Sequence, residues 1–316
     1  MKSFFVKNMV KYCPQWMTRS LRKCIKIKPE QMQGFRFRIA RDIPDLEEAY
    51  RLVHNEYVRC GYMDPSDTGM RFSLHNFLSE TTTFIGTFEG RLALTITIFQ
   101  DTELGLPMDA IYKRKIDRLR AAGRKVAEVG ALATHPDFRN GNQNLPLYGD
   151  KIAYSYARDN LGIEDLVLAI NPKHEWIYKH ILLLDKIGGR KRYDYVKGAD
   201  AVGYRMDLSK FENNLQKRYS TLPRESNLHA FFVYQHCENI ELPEKGVSCA
   251  WDTNTVRHFL SMDPASSSSS TADAPENPSL NNPPVTPDPE NPTLLTNQAT
   301  NEGFPIDIPK LSPRYR

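Results

Sequence analysis

The fold of this chain is predicted by one apolar stretch, VAEVGALA at residues 126–133, which the pair His135-Pro136 ends. Its branched and small apolar residues favour a strand buried inside a sheet. A second, nearly continuous apolar run follows at Ile163–Ile170, the pattern of a strand covered on both faces. Between the two runs, Leu145–Asn160 has helical periodicity. A strand, a helix and a strand in this order predict a parallel pair inside an α/β fold.

The flanking segments extend this pair to a mixed central sheet of about seven strands, flanked by helices. Glu89-Gly90 is a turn signal that joins two strands in a hairpin, and Asp42 is a candidate cap for the first helix. Gly188-Gly189 is expected to end the last helix. The predicted strands are residues 35–41, Thr81–Phe88, Arg91–Phe99, Val126–Ala133, Ile163–Ile170, Arg190–Val196 and Ala201–Leu208. The predicted helices begin near Pro44 and cover Asp109–Ala122, Leu145–Asn160 and Lys173–Ile187.

Composition divides the chain into four predicted parts. Residues 1–34 form a basic arm, and Glu30 is the only acid before Asp42. Residues 35–208 carry the periodic segments, and residues 209–262 are expected to pack on them as a C-terminal extension. Residues 263–316 are rich in Ser, Pro, Asn and Thr, so they lack the apolar surface that would offset the entropy of ordering. This tail is predicted to be disordered.

The basic arm predicts an anionic partner, such as nucleic acid, an anionic membrane or an acidic protein. Its Trp, Phe and Met residues allow an amphipathic helix at the inner membrane; an arm that is disordered or packed on the domain is the alternative. No apolar run is long enough to span a bilayer. An odd number of cysteines without a CxxC pair argues against a zinc site and a disulfide framework. We therefore expect a cytoplasmic protein without a metal. The cysteines are Cys13, Cys24, Cys60, Cys237 and Cys249.

Three sets of motifs occur in the order found in N-acyl amino acid synthases. AEVGALA at residues 127–133 resembles the fourth-strand signature of that family. Residues 171–178, NPKHEWIY, resemble its segment after the fifth strand, and Gly61-Tyr62 with Gly105-Leu106-Pro107 resembles two landmarks that flank its acyl region. Over residues 35–208 the chain is therefore similar to this family, a relative of the autoinducer synthases with the GNAT acyltransferase fold. The resemblance implies an acyltransferase that uses a thioester donor.

The loop after the fourth strand departs from the general GNAT pattern. Most GNAT enzymes carry several glycines there, whose backbone amides cradle the pyrophosphate of coenzyme A. Arg139–Asn144 keeps one glycine and places asparagines at other positions. The departure favours acyl carrier protein, with its acyl-phosphopantetheine thioester, over acyl-coenzyme A as the donor. No bound cofactor is expected.

Glu128 is the predicted general base, because burial in an apolar strand would raise its pKa toward neutrality. A solvent-facing or ion-paired glutamate is the alternative. The resemblance gives Tyr178 the role of protonating the leaving thiolate, with a core tyrosine as the alternative. His174 and His54 are expected to be structural.

The predicted donor site surrounds the end of the parallel strand pair. A β-bulge at Gly130 would separate the two strands and expose backbone amides to the pantetheine arm, unless this glycine only permits close packing. Arg139 is expected to bind the phosphate, or else to be a surface arginine. The predicted donor-binding residues are Gly130, Ala131, Leu132, Ala133, Arg139 and Asn171.

The helix before the fourth strand has a basic face that would suit an acidic carrier protein. A solvated surface without a partner is the alternative, and no nucleic-acid module accompanies these charges, so nucleic acid is not expected as a partner. The predicted docking residues are Lys113, Arg114, Lys115, Arg118 and Arg120.

The sequence therefore predicts transfer of a medium or long fatty acyl group from acyl carrier protein, or acyl-coenzyme A, to the α-amine of an amino acid. One alternative is an acyl-homoserine lactone synthase, although the pattern of Arg and Trp landmarks expected near its N-terminus is not evident in His54–Tyr62. Another is a non-catalytic module of the same fold that binds an acyl carrier or a lipid.

Overall fold

A mixed seven-stranded sheet forms the centre of the protein in the computed structural model, which describes residues 25–139, 144–245 and 250–262. The strand order is β1-β2-β3-β4-β5-β7-β6, with β4 and β5 parallel and every other neighbouring pair antiparallel. This arrangement confirms the predicted α/β fold of the GNAT type. The strands are β1 Phe35–Ile39, β2 Thr81–Phe88, β3 Arg91–Gln100, β4 Val126–Thr134, β5 Asp165–Ile170, β6 Asp185–Tyr193 and β7 Ala199–Asp207.

Helices flank the sheet and connect its strands. The first helix is preceded by Asp42, whose side chain accepts a hydrogen bond of 2.9 Å from the Asp45 N–H and so caps the helix as predicted. The chain also forms π-helical turns at Tyr156–Asn160 and Ile177–Ile181. The α-helices are α1 Ile43–Arg59, α2 Asp109–Ala121, α3 Leu145–Ser155, α4 Leu208–Tyr219 and α5 Thr253–Ser261.

The helix predicted over Lys173–Ile187 is wrong in its second half. The helical turns end at Ile181, and β6 begins at Asp185, so Gly188 lies inside a strand. A Cβ at Gly188 would lie 2.1 Å from the Tyr112 ring of α2. This glycine is therefore needed for close packing between helix and strand, which a breaker signal in the sequence does not distinguish from a helix end.

The described residues of the segment after Leu208 pack against the sheet and its helices. Phe211, Phe231 and Phe232 belong to the same core cluster as the side chains of β1 and α3, and Tyr148 of α3 meets Phe231 edge to face, with ring centroids 5.1 Å apart. One core therefore contains side chains from both sides of the predicted boundary at residue 208.

An ion-pair cluster joins β4, β5 and β7 at the end where β4 and β5 begin. Asp165 is fully buried and binds two arginines: Arg124, just before β4, and Arg205 of β7, whose Nε lies 2.5 Å from the carboxylate. Both arginines also meet Asp207 at 3.1 Å. Buried carboxylates held by two guanidinium groups fix the strands at this end.

At the opposite end β4 and β5 separate. Their pairing covers only three residues of each strand and stops at Glu128 and Val167. Beyond that point β4 has a bulge against β3, because Gly130 and Ala133 face Thr97 and Thr95. The two strands therefore form a wedge that is closed by the ion-pair cluster and open beyond Glu128.

Several predictions concern segments outside the described residues. These are most of the basic arm, at residues 1–24, the asparagine-rich loop at residues 140–143, and the tail at residues 263–316. Within the described ranges, no helix is long and apolar enough to cross a membrane.

Candidate active site

A cavity of about 720 Å³ opens between the separated ends of β4 and β5. Its volume lies within the roughly 300–1,000 Å³ typical of small-molecule sites, and much of its wall is apolar. The two predicted catalytic residues and all the predicted donor-binding residues line it: Glu128, Tyr178, Gly130, Ala131, Leu132, Ala133, Arg139 and Asn171. The fold thus brings together residues that come from four separate segments.

Glu128 is buried in the cavity wall, with 5% of its surface exposed. It lies in the middle of the sheet, opposite Phe99 of β3 and Val167 of β5. Burial raises the pKa of Glu128 to about 8; the hydrogen bond from the Met108 N–H opposes this shift and the charge of Asp109 adds to it. A carboxyl group with this pKa can accept a proton at near-neutral pH and release it again.

The Gly105-Leu106-Pro107 segment positions Glu128. Its next residue, Met108, donates a backbone hydrogen bond of 2.7 Å to Glu128 Oε2. Gly105 has a φ of 76° and leaves no room for a Cβ, which would lie 2.5 Å from the Asp109 carboxylate. The motif therefore forms a tight turn that directs one N–H at Glu128.

Arg120 holds this turn in place. Its guanidinium meets Asp109 at 2.6 Å, and it also pairs with Asp101 at 2.6 Å and with Asp117 at 2.7 Å. Asp109 in turn accepts the Leu106 N–H at 2.8 Å. Arg120 is therefore neutralised within the fold and does not contribute a free charge to the predicted docking face.

Those four residues lie on the exposed face of α2. They are Lys113, Arg114, Lys115 and Arg118, and none of them lines the cavity. Lys113 pairs with Asp117 at 3.1 Å, whereas no described ion pair involves the other three.

The left-handed backbone of the β4 bulge belongs to Ala131 and not to Gly130. Ala131 has a φ of 49°, a region that costs a residue with a Cβ about 1 kcal/mol or more. Gly130 instead permits close packing, since a Cβ there would lie 3.1 Å from the Phe99 ring. The bulge is thus one residue beyond the predicted glycine, and both residues face the cavity.

Tyr178 lies in the π-helical turn after β5, and its side chain is half-buried against the core. Burial, with the charge of Asp150, raises the pKa of Tyr178 well above its usual value. The hydroxyl therefore stays protonated at neutral pH and can act as a donor. Asn171 lies at the end of β5, where its side chain accepts the Lys173 N–H at 3.0 Å.

Asp150 is a second buried carboxyl group in the cavity, and the sequence analysis missed it. It lies on α3 with 6% of its surface exposed, and burial raises its pKa to about 7. An acid among the apolar residues of LPLYGDKIAYS, residues 145–155, is the signal that could have identified it.

Arg139 lies at the cavity wall but has internal partners. It donates to the Thr134 carbonyl at 2.8 and 3.0 Å and forms an ion pair with Glu56 of α1. Glu56 also binds Arg59 at 2.8 Å. A phosphate at this position would therefore compete with the Glu56 carboxylate for the Arg139 guanidinium, or the two anions would share it.

The wall formed by α1 and the β6–β7 connection carries an aromatic group that the sequence analysis also missed. Tyr57, Tyr193 and Tyr195 line the cavity with Arg71, and the Tyr193 hydroxyl donates to the Pro107 carbonyl at 2.9 Å. His54, in contrast, is buried and hydrogen-bonded at both ring nitrogens, the structural role predicted for it. Among the described residues, no group of three or more His, Cys, Asp or Glu side chains could hold a metal ion.

The arrangement can deprotonate an amine at Glu128 beside an open strand edge, with a protonated tyrosine in the same cavity. A family model described as N-acyl amino acid synthase FeeM matches residues 48–207, just over half of the chain. The chain belongs to this family. It is therefore an N-acyltransferase, as the motifs of β4 and β5 predicted.

The chain is also similar to solved structures of acyl-transferring synthases. FeeM, an N-acyl amino acid synthase from uncultured soil microbes, is 28% identical over 57% of this chain and 93% of its own, with a TM-score of 0.50. The acyl-homoserine lactone synthase LasI is 18% identical over 55% and 90% of the two chains, with a TM-score of 0.41. The coenzyme A-dependent synthase BjaI is 15% identical over 72% and 100%, with a TM-score of 0.46. No curated protein matches the chain significantly.

Proposed function

We propose that this enzyme transfers a medium or long fatty acyl group from acyl carrier protein to the α-amine of an amino acid. The observation that carries the proposal is a buried glutamate, Glu128, at the inner end of a wedge between two strands. The cavity at this wedge is far larger than an acetyl group needs, and apolar residues such as Val129, Leu132 and Leu168 line it.

In the proposed reaction the thioester enters the wedge, where β4 beyond Glu128 has no pairing with β5. The amine reaches the cavity as an ammonium ion, and Glu128 removes one proton from it. The free amine attacks the thioester carbonyl, forming the C–N bond. Collapse of the tetrahedral adduct breaks the C–S bond, and the second amine proton reaches the leaving thiolate through Tyr178.

Acyl carrier protein is the proposed donor because it carries one phosphodiester and an acidic surface. The exposed face of α2, with Lys115 and Arg118, offers the opposite charge. This donor also places the enzyme in the cytoplasm, and the basic arm at residues 1–34 would allow it to lie at the inner membrane.

The proposal is tested with the purified full-length chain, dodecanoyl carrier protein, dodecanoyl-coenzyme A and a mixture of the common amino acids. Mass spectrometry should detect N-dodecanoyl amino acids with the wild type. Glu128→Gln should lower the rate about 10²–10⁴-fold while the protein stays folded. Folded wild-type protein that forms no N-acyl product from either donor would refute the proposed function.

The donor is tested by reversing charge on α2. The double variant Lys115→Glu, Arg118→Glu should lower kcat/KM for the carrier-bound donor about tenfold or more at low salt, because it repels an acidic partner. The same variant should leave kcat/KM for dodecanoyl-coenzyme A unchanged. Equal effects on the two donors would contradict docking at this face.

A further inference from the structure

The guanidinium of Arg71 is held between two tyrosine rings in the cavity that contains Glu128. Its central carbon lies 4.6 Å from the centroid of the Tyr57 ring and 4.7 Å from that of Tyr195. Arg71 also donates to the Tyr195 carbonyl at 2.6 Å. Stacking on two rings and one backbone hydrogen bond fix the plane of this cation before any ligand arrives.

Arg71 has no carboxylate partner among the described residues. Two other cavity arginines, Arg59 and Arg139, both pair with Glu56. Among the described residues Arg71 donates to the Tyr195 carbonyl and to the Met63 sulfur at 4.0 Å and also interacts with the Tyr57 side chain, so guanidinium donors remain for another acceptor. A half-buried cation without a counter-charge, on the wall of a cavity, favours an anionic ligand.

Arg71 and Glu128 act on the same side chains. Burial raises the pKa of Tyr195, the Arg71 charge opposes this shift, and the Glu128 charge adds to it. The same two charges act in opposite directions on Tyr57. A fixed cation and an ionisable acid therefore both lie within electrostatic range of the same two tyrosine side chains in this cavity.

We propose that Arg71 binds the α-carboxylate of the acceptor amino acid and thereby presents its amine to Glu128. This inference rests on the proposed function. An α-amino acid carries its carboxylate and its ammonium group on one carbon. Its negative group would face the Arg71 cation, and its positive group would face the Glu128 carboxylate. The planar guanidinium can donate two parallel hydrogen bonds to the carboxylate, which fixes the orientation of the nucleophile.

The proposed role of Arg71 accounts for how the site could select an amino acid as the acceptor. The wedge between β4 and β5 offers backbone groups and apolar side chains to the thioester, whereas Arg71 offers a positive charge to the acceptor. A carboxylate at Arg71 would thus distinguish an amino acid from an amine without a carboxylate, since the latter leaves this half-buried cation without a counter-charge.

Two acceptor mixtures test the assignment, namely the common amino acids and their α-carboxamides. Transfer from the dodecanoyl carrier protein is measured for each by mass spectrometry. The wild type should prefer amino acids, and Arg71→Gln should lower this preference about 10–100-fold by raising KM for amino acids alone. The preference ratio is compared between proteins, so the unequal basicity of the two amine classes cancels. Arg71→Lys should restore part of the preference.

Arg257→Gln is the matched control, because it removes an exposed charge of α5 that does not line the cavity. It should leave the preference unchanged. The assignment is overturned if Arg71→Gln lowers transfer to both mixtures equally, as a purely structural role would. It is also overturned if the main effect is a higher KM for the donor, which would place the donor phosphate at Arg71.

A binding measurement separates failure of this inference from failure of the proposed function. Calorimetry compares N-dodecanoylglycine with N-dodecanoylglycinamide, which differ at the carboxylate only. Preference for the acid in the wild type, lost in Arg71→Gln, would support the carboxylate site even if no transfer is detected. Transfer by the wild type without this preference would refute the Arg71 assignment and leave the proposed function intact.

Discussion

Replacing Glu128 with glutamine should stabilise the folded protein at neutral and alkaline pH. The glutamine side chain keeps the shape of the carboxyl group, and its oxygen can still accept the hydrogen bond from the Met108 N–H. It has no charge to bury. The wild type, in contrast, must either bury a carboxylate or hold a proton that the unfolded chain has released.

The size of this effect follows from the two pKa values of Glu128, which are 4.5 as the ordinary value and about 8 in the folded protein. At pH values between these two pKa values the folded state binds more protons than the unfolded state, so the free energy of unfolding falls as the pH rises. From about pH 5 to about pH 8 the loss is about 3–4 kcal/mol, because the slope is about 1.36 kcal/mol per pH unit between the two pKa values and smaller close to each of them. The variant lacks this loss, so its advantage over the wild type should grow by the same amount.

Urea unfolding of both proteins at the two pH values measures this difference. The raised pKa of Asp150 affects wild type and variant alike, so it cancels in the comparison. Glu89→Gln, the same change at an exposed turn, is the control and should show no such trend. Stability curves of wild type and Glu128→Gln that stay parallel across this range would refute the reasoning that makes Glu128 a base.

Three further outcomes are expected. Gly188→Ala should destabilise the protein by about 1–3 kcal/mol in urea unfolding, because its Cβ would meet the Tyr112 ring, whereas Gly189→Ala has open space and should be nearly neutral. Equal losses of stability in the two variants would contradict the packing role of Gly188. Ala131→Gly should raise the free energy of unfolding by up to about 1 kcal/mol by relieving the left-handed backbone; a destabilised variant would count against strain there. Tyr178→Phe should lower kcat about tenfold or more with KM unchanged, and unaltered turnover would remove this tyrosine from proton transfer.

The sequence was sufficient to predict features that depend on local periodicity. Alternating or continuous apolar residues identified every strand of the sheet except the part of β6 before Arg190, where a helix was predicted. The resemblance of β4 to the family signature favoured a buried Glu128 over a solvent-facing one, and Glu128 is buried. The parallel pair at β4 and β5 followed from the intervening helix. These features could be predicted because the side chains of one element share one face.

Features that depend on contacts between distant segments could not be predicted in this way. Gly188 resembles a helix breaker in sequence, but its role depends on Tyr112, far away along the chain. Arg120 belongs to a basic run, and only the fold shows that three carboxylates surround it. Arg71 lies in a connecting segment without periodicity, so nothing in the sequence placed it between two tyrosines.

For the proposed transfer of fatty acyl groups, the ion-pair cluster at Asp165 limits how the cavity could be adapted to acyl chains of different length. Because that end of the strand pair is held by buried charges, a longer chain cannot gain room by spreading the sheet. Room must come from the side chains of the walls, such as Leu132 and Leu168. Chain-length preference should therefore evolve by single substitutions at these positions, while the backbone that presents the catalytic groups stays the same.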